Sequence, residues 1–150
     1  AVQVERDPLY ASIISAQRST PEATGADAVS LAARQMAETL SVAAIVTYTS
    51  TGNTGLRTAR ERPLLPIIAL SPKVATARRL SIAWGLHCVV TEDATDLEGM
   101  VDKACRVAVE QELARPGERV IVTAGVPLGT PGATNMLRIA YIGSDGLSAV

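Results

Sequence analysis

Residues Thr49-Ser50-Thr51-Gly52-Asn53-Thr54 place hydroxyls, a side-chain amide and a glycine in one unbroken run, after the apolar stretch Ala43 to Tyr48 and before a short helical pattern from Gly55 to Glu61. A strand that empties into such a run and then starts a helix leaves backbone N–H groups without partners and Ser/Thr hydroxyls aimed at one spot. That is the chemistry of oxyanion binding. The run contains no lysine, so it lacks the Gly-Lys-Ser/Thr ending of a nucleotide-hydrolysing P-loop. It reads as a cradle for a phosphate before it reads as a place for bond chemistry. An ordinary strand-to-helix turn with a threonine N-cap fits the same residues.

Other reactive side chains are sparse. Cys88 falls in a strand-like run and Cys105 in a helix-like one, neither with a partner at metal-ligand spacing, so both are expected to be small buried hydrophobes. His87 is the only histidine, and no serine sits in a G-x-S-x-G elbow that would make it a catalytic base. A structural imidazole is expected, with no metal site and no catalytic residue in the chain.

The elements that must hold the hydroxyl run follow from periodicity and punctuation. Residues 1–23 are broken by Asp7, Pro8 and Ser19-Thr20-Pro21 and read as a helical stub and connector. Thr24, with Asp27 three residues on, resembles a capping box, and Val29, Ala32, Met36 and Leu40 share one face of a first helix. Ala43 to Tyr48 is apolar on both faces and reads as a central strand. Ile67 to Leu70 is a second such strand. Ser71-Pro72 reads as the start of a helix that runs through Leu80 and Trp84 to Gly85. Leu86 to Thr91 is a third strand, Thr95 to Ala114 a helix, and Arg119 to Ala124 a fourth strand. The Gly- and Pro-rich segment Gly125 to Asn135 leaves no room for a helix before a last strand, Met136 to Ile142, which must therefore run antiparallel. Alternation of this kind implies an α/β domain in three αβα layers, with a mostly parallel sheet of five strands covered on both faces.

The chain of 150 residues is long enough for one domain with its own core, and 47% of its residues are apolar with no Phe. A net charge of −1 gives no general drive toward nucleic acid or acidic lipid, and neither is expected as a partner. No apolar run approaches the roughly 18 residues of a membrane span, nor does the N-terminus resemble a signal peptide, so a cytoplasmic location is expected. Charge is unevenly placed: Arg57 to Arg79 holds six bases and one acid, whereas Glu92 to Glu112 holds seven acids and two bases. Such blocks are commonly solvated helix faces, but the basic one begins beside the hydroxyl run and would concentrate anions there.

Three segments together resemble one family. TYTSTGNTGLRTARERPLLPIIALSP (Thr47 to Pro72), the Arg79 to Val90 stretch with Trp84-Gly85, and GERVIVTAGVPLGTPGATNMLRI (Gly117 to Ile139) are similar to the C-terminal domain of bacterial pyruvate kinase. The resemblance spans about residues 25–142 and implies the strand order 3-2-1-4-5 with strand 5 antiparallel. That order puts the hydroxyl run and the Gly125 to Asn135 loop at one switch point, where open α/β sheets bind ligands.

The resemblance also implies a function. In that family a β/α barrel upstream transfers a phosphoryl group from phosphoenolpyruvate to ADP with Mg²⁺ and K⁺, while this domain binds a phosphorylated effector and helps build a homotetramer. Residues 1–23 would then be the connector from that catalytic domain, and residues 24–150 the effector and assembly domain, inactive by itself. Thr49, Ser50, Thr51, Gly52, Asn53 and Thr54 would wrap the effector phosphate, with Gly129, Thr130 and Gly132 on a covering loop. Two positions depart from the pattern: Gly55 stands where alanine is common, and Val126-Pro127 where bisphosphate-activated animal and yeast enzymes place an aromatic and a basic residue. A sugar monophosphate and a nucleotide monophosphate are thus open beside a bisphosphate. A free-standing phosphate-ligand module of the same fold and a purely structural domain, pairing through its exposed last strand, are the alternatives.

Overall fold

The computed structural model describes residues 2–130 and 134–149. Its centre is a strand with apolar residues on both faces, β1 (Ala44–Tyr48), which pairs in parallel with β2 (Ile67–Ser71) on one side and β4 (Arg119–Ala124) on the other. Beyond β2 lies the parallel edge strand β3 (Leu86–Val90). Beyond β4 comes antiparallel β5 (Met136–Ile142), and then a strand that the hydrophobic pattern does not announce, β6 (Ser148–Ala149). The sheet order is β3-β2-β1-β4-β5-β6, so the expected order holds and is extended by one strand.

The sixth strand arises from a local turn. Gly146 takes φ +79°, Leu147 N–H donates to Asp145 Oδ1 at 3.0 Å, and Gly143 N–H to Leu147 O at 2.7 Å, so an Asp-Gly turn folds the chain back on β5. β6 pairs only with Tyr141 and Ile142. The last strand is therefore not the free edge expected along its whole length, since only its first part lacks a neighbour on that side among the described residues.

Period 2 along each strand divides the core. Val46, Ile68, Leu70, Val120 and Val122 face helix α6 (Leu97–Glu110) and its Val101, Ala104 and Ala108. Ile45 and Ile121 face the opposite way, against Ala33 of α3 (Gly25–Thr39). Helix α4 (Asn53–Arg60) packs beside α3, and α5 (Val74–Leu80) against β2 and β3. Two helices, α1 (Val2–Glu5) and α2 (Pro8–Ala16), occupy the stretch read as a stub and connector. No described helix is long and apolar enough to cross a membrane.

Element boundaries differ from the sequence reading where a side chain is claimed by a distant partner or by a local turn or cap. Helix α5 ends at Leu80 instead of running to Trp84, because the following turn delivers Trp84 to Glu5 Oε1 at 2.8 Å and to the Arg62 guanidinium at 4.2 Å from the ring centre. Ser71 is the last residue of β2, and its Oγ accepts from Lys73 N–H in a local turn instead of capping the helix. Asp96 caps α6 by accepting from Gly99 N–H, which sets that helix two residues later than its apolar pattern suggests.

The largest revision concerns α3. Thr24 does cap it, accepting from Asp27 N–H. Yet the side chains buried deepest are Ala26, Asp27, Ser30, Ala33 and Arg34, and the Val29-Ala32-Met36 row is only half-buried. Charge explains the rotation. Asp27, 1% exposed, meets Arg57 Nε at 3.1 Å and Arg60 Nη2 at 2.6 Å, and accepts the Glu22 N–H at 2.8 Å. Arg34 grips both oxygens of Glu38 at 2.8 Å and approaches Glu61 at 3.4 Å. Ion pairs thus bolt α3 to α4.

Two tests follow from this packing. Ile68→Ala, at a fully buried position of β2, is expected to lower unfolding free energy by about 2–5 kcal/mol in urea titration. The Glu22 amide, with Arg60 and Arg57, outweighs burial and holds the Asp27 carboxyl below its usual value of 3.8. A depressed acid stabilises the fold above its unfolded pKa and loses that effect as pH falls through its folded pKa. Asp27→Asn is therefore expected to cost about 3–5 kcal/mol at pH 7, and its deficit relative to wild type should shrink steadily in urea titrations below pH 3.8.

Candidate functional site

The hydroxyl run occupies the turn between β1 and α4, and neighbouring groups fix its peptide planes. Thr49 N–H donates to Leu70 O at 2.9 Å, carrying the β-ladder one residue past Tyr48. Thr76 Oγ1 of α5 then donates to Ser50 O at 2.9 Å, and the Arg79 guanidinium donates to Thr51 O. In a trans peptide the N–H points opposite the C=O. Anchoring the Ser50 carbonyl on α5 therefore turns the Thr51 N–H away from α5. Gly52 N–H, from the next peptide, closes onto Thr49 Oγ1 at 2.8 Å.

Gly52 is the N-cap of α4 with φ +94°, a conformation disfavoured for any side chain. A Cβ there would stand 2.9 Å from Arg79 Nη2 and 3.2 Å from Leu80 Cδ2. After it, the first-turn amides of Asn53, Thr54 and Gly55 have no acceptor among the described residues. They present the positive end of α4.

The opposite wall is the loop after β4. Asn135 clasps its base, accepting Val126 N–H at 2.8 Å and donating to Val126 O at 2.6 Å. Thr134 Oγ1 lies 2.6 Å from Thr54 Oγ1 and ties this wall to α4. The two walls enclose a cleft of about 220 Å³. Thr49, Ser50, Thr51, Asn53, Thr54, Gly129 and Thr130 line it, as the sequence reading requires of one site. Gly52 shapes the turn from behind. Gly132 lies outside the described residues.

Several lining residues were not singled out by motif. Arg57 and Lys73 bring positive charge to the cleft and Asp93 a negative one, while Tyr48 forms part of its floor. The basic block that begins at Arg57 was the signal for the first two. Asp93 belongs to the acidic block and signals nothing alone. Tyr48 donates its hydroxyl to Met100 O at 2.7 Å, and burial, reinforced by Asp93 and Cys105, pushes its ionisation well above the ordinary phenol range. That bond fixes the direction of its hydroxyl.

Neither thiol nor imidazole reaches the cleft. Burial raises the Cys105 thiol to about 11, and it also raises Cys88, which is half-buried rather than buried as expected. His87 is exposed on β3 with Nε2 2.7 Å from Gln111 Oε1. Among the described residues, no three His, Cys, Asp or Glu side chains come together as a metal site. What the geometry offers is oriented N–H groups, hydroxyls, two cations and one carboxylate around a single cleft.

Residues 27–140 match the family described as the pyruvate kinase alpha/beta domain. The chain belongs to that family. Among curated relatives, a pyruvate kinase of Methylorubrum extorquens is 54% identical over 142 residues, covering 95% of this chain and 30% of the relative. A pyruvate kinase of Agrobacterium vitis is 36% identical over 141 residues, covering 94% of this chain and 30% of the relative. One from Geobacillus stearothermophilus is 34% identical over 142 residues, 95% of this chain and 24% of the relative. The pyruvate kinase domain here thus spans 24–30% of the length of these relatives.

Gly52→Ala tests the turn on which the cleft depends. It is expected to cost about 1–3 kcal/mol in thermal or urea unfolding, from the left-handed backbone and the contact with Arg79. It should also shift the amide resonances of Thr51 and Asn53 in NMR spectra, whereas those of α6, across the sheet, stay in place.

Proposed function

We propose that this domain binds a phosphorylated small-molecule effector in the cleft between the β1–α4 turn and the loop after β4. It does so as the regulatory and assembly part of a pyruvate kinase whose catalytic barrel, with its Mg²⁺ and K⁺, lies elsewhere in the parent protein. The observation that carries the proposal is the convergence of first-turn amides, the Ser50, Thr51 and Thr130 hydroxyls, Lys73 and Arg57 on one crevice. A phosphate monoester meets donors on several sides there. Asp93 on the same rim disfavours a second phosphate and suits a hydroxyl-bearing sugar, so a monophosphate is the better fit.

Magnitudes agree with a metabolite sensor. Three or four charge-assisted hydrogen bonds at about 1.5–3 kcal/mol each, less about 4 kcal/mol or more for immobilising the ligand, leave an affinity on the order of millimolar to micromolar. Regulation then requires the loops to differ between active and inactive states of the parent enzyme. The exposed apolar residues of the N-terminal helices, Val4 at 62%, Leu9 at 68% and Ile13 at 53%, favour a connector that packs on another part of the parent protein. Homotetramer formation belongs to the same proposal.

One observation favours the structural reading instead: the hydroxyls of Thr49 and Thr54 are already bonded to Gly52 N–H and Thr134. Calorimetric titration with glucose 6-phosphate, ribose 5-phosphate, AMP and fructose 1,6-bisphosphate separates the two. Binding of a monophosphate in the stated range is expected, and Thr51→Glu, at a half-buried cleft position, should abolish it while leaving the unfolding midpoint nearly unchanged. If none of the four ligands binds either the chain or the parent enzyme, the effector role is lost and the structural role stands.

A further inference from the structure

Arg57 belongs to two sites at once. It lines the cleft, with 30% of its side chain exposed, and its Nε lies 3.1 Å from Oδ1 of Asp27, a carboxylate 1% exposed beneath the cleft wall. That oxygen makes no hydrogen bond, so the contact is one of charge, and the fork of guanidinium donors leaves Arg57 with η nitrogens for a second partner. The charge count points the same way. Asp27 carries one negative charge and meets two guanidinium groups, those of Arg57 and Arg60, so the cluster keeps one positive charge in excess. Arg60 stands away from the cleft lining, which leaves Arg57 as the member able to take an anion there.

The far side of the cluster is the connector. Oδ2 of Asp27 accepts the Glu22 N–H at 2.8 Å as well as Arg60 Nη2 at 2.6 Å. Hence a single buried carboxylate faces the cleft arginine with one oxygen, as an ion pair without a hydrogen bond, and holds the chain entering α3 by the other through a hydrogen bond. Thr24 caps α3 between them, accepting from Asp27 N–H at 3.2 Å, so the backbone that carries this carboxylate is fixed as well.

We propose that Arg57 is an anion-recognising residue of the cleft positioned by Asp27, and that through Asp27 the binding of a phosphate group is energetically linked to the packing of the connector at Glu22. The inference rests on the cleft being a phosphate site. It adds a residue outside the hydroxyl run to that site and a route by which occupancy acts on the segment leading to the rest of the parent protein. Linkage is reciprocal: if phosphate prefers the arrangement with Asp27 engaged at both oxygens, it stabilises that arrangement, and opening the Glu22–Asp27 bond becomes rarer when ligand is bound.

The test uses the 150-residue chain with inorganic phosphate as probe, followed by NMR. Binding is read from amide shifts of Thr51, Asn53 and Thr54, and linkage from hydrogen exchange of the Glu22 amide, with amides of α6 as internal reference. In wild type, phosphate at ten times its Kd is expected to slow Glu22 exchange by up to about tenfold relative to the reference. Arg57→Gln should weaken phosphate binding by about tenfold, the loss of one charge-assisted hydrogen bond, and abolish the Glu22 response. Arg57→Lys, which keeps the charge without the fork, should recover much of the affinity and not the Glu22 response.

Unchanged affinity in Arg57→Gln overturns the recognition role. A Glu22 response that survives in Arg57→Gln at saturating phosphate overturns the linkage. Absence of any shift at Thr51, Asn53 and Thr54 in wild type removes the phosphate site itself, and the inference with it, a result distinct from the other two.

Discussion

The fold depends first on a topological constraint: β1 has parallel neighbours on both sides, and the chain leaves it toward β2 while β4 arrives from the other direction. Loops at the C-terminal ends of β1 and β4 must then diverge, and a crevice opens between them. Everything at the candidate site follows from filling that crevice with polar groups held from outside it. The turn after β1 has its carbonyls drawn to Thr76 and Arg79 of α5, and the loop after β4 has its base clasped by Asn135. Oriented amides in the gap are the residue of those external anchors. This is preorganisation in a literal sense, because the protein itself fixes the direction of these donors.

Electrostatics adds a second layer behind the first. Burying Asp27 is tolerable because Arg60 and the Glu22 N–H bond one of its oxygens and the Arg57 charge faces the other. The same requirement sets the orientation of α3, which turns its charged row inward and leaves its aliphatic row half-buried. Arg57 thus both faces the buried carboxylate and lines the cleft.

Much of this was legible in the residues. The β1 to β4 strands read correctly because apolar runs such as Ile67-Ile68-Ala69-Leu70 have few alternatives once bounded by Pro66 and Ser71-Pro72. The antiparallel turn-back of β5 followed from the shortness of the preceding segment. The cleft-lining role of the hydroxyl run was legible because its residue types are unusual after a buried strand. What escaped was set by long-range partners. The most buried face of α3 depends on Arg57 and Arg60, some thirty residues away, so helical periodicity found a row of which Met36 packs on the core, but not the more deeply buried row beside it. The stop of α5 depends on Trp84 finding Glu5, which lies 79 residues earlier in the chain. β6 is two residues long and has no pattern to read, although the Asp145-Gly146 pair marks its turn. Thr134, next to Asn135 in the glycine-rich motif, gained a role only when its hydroxyl met Thr54 across the cleft.

Helix α5 is seven residues long and packs on β2 and on β3, whose side chains are the least covered of the parallel strands. Yet this short rim helix, through Thr76 and Arg79, is what fixes the peptide planes at the centre of the domain. The geometry of the β1–α4 turn is accordingly governed from the sheet's margin. The edge of the sheet thus reaches its middle through two hydrogen bonds.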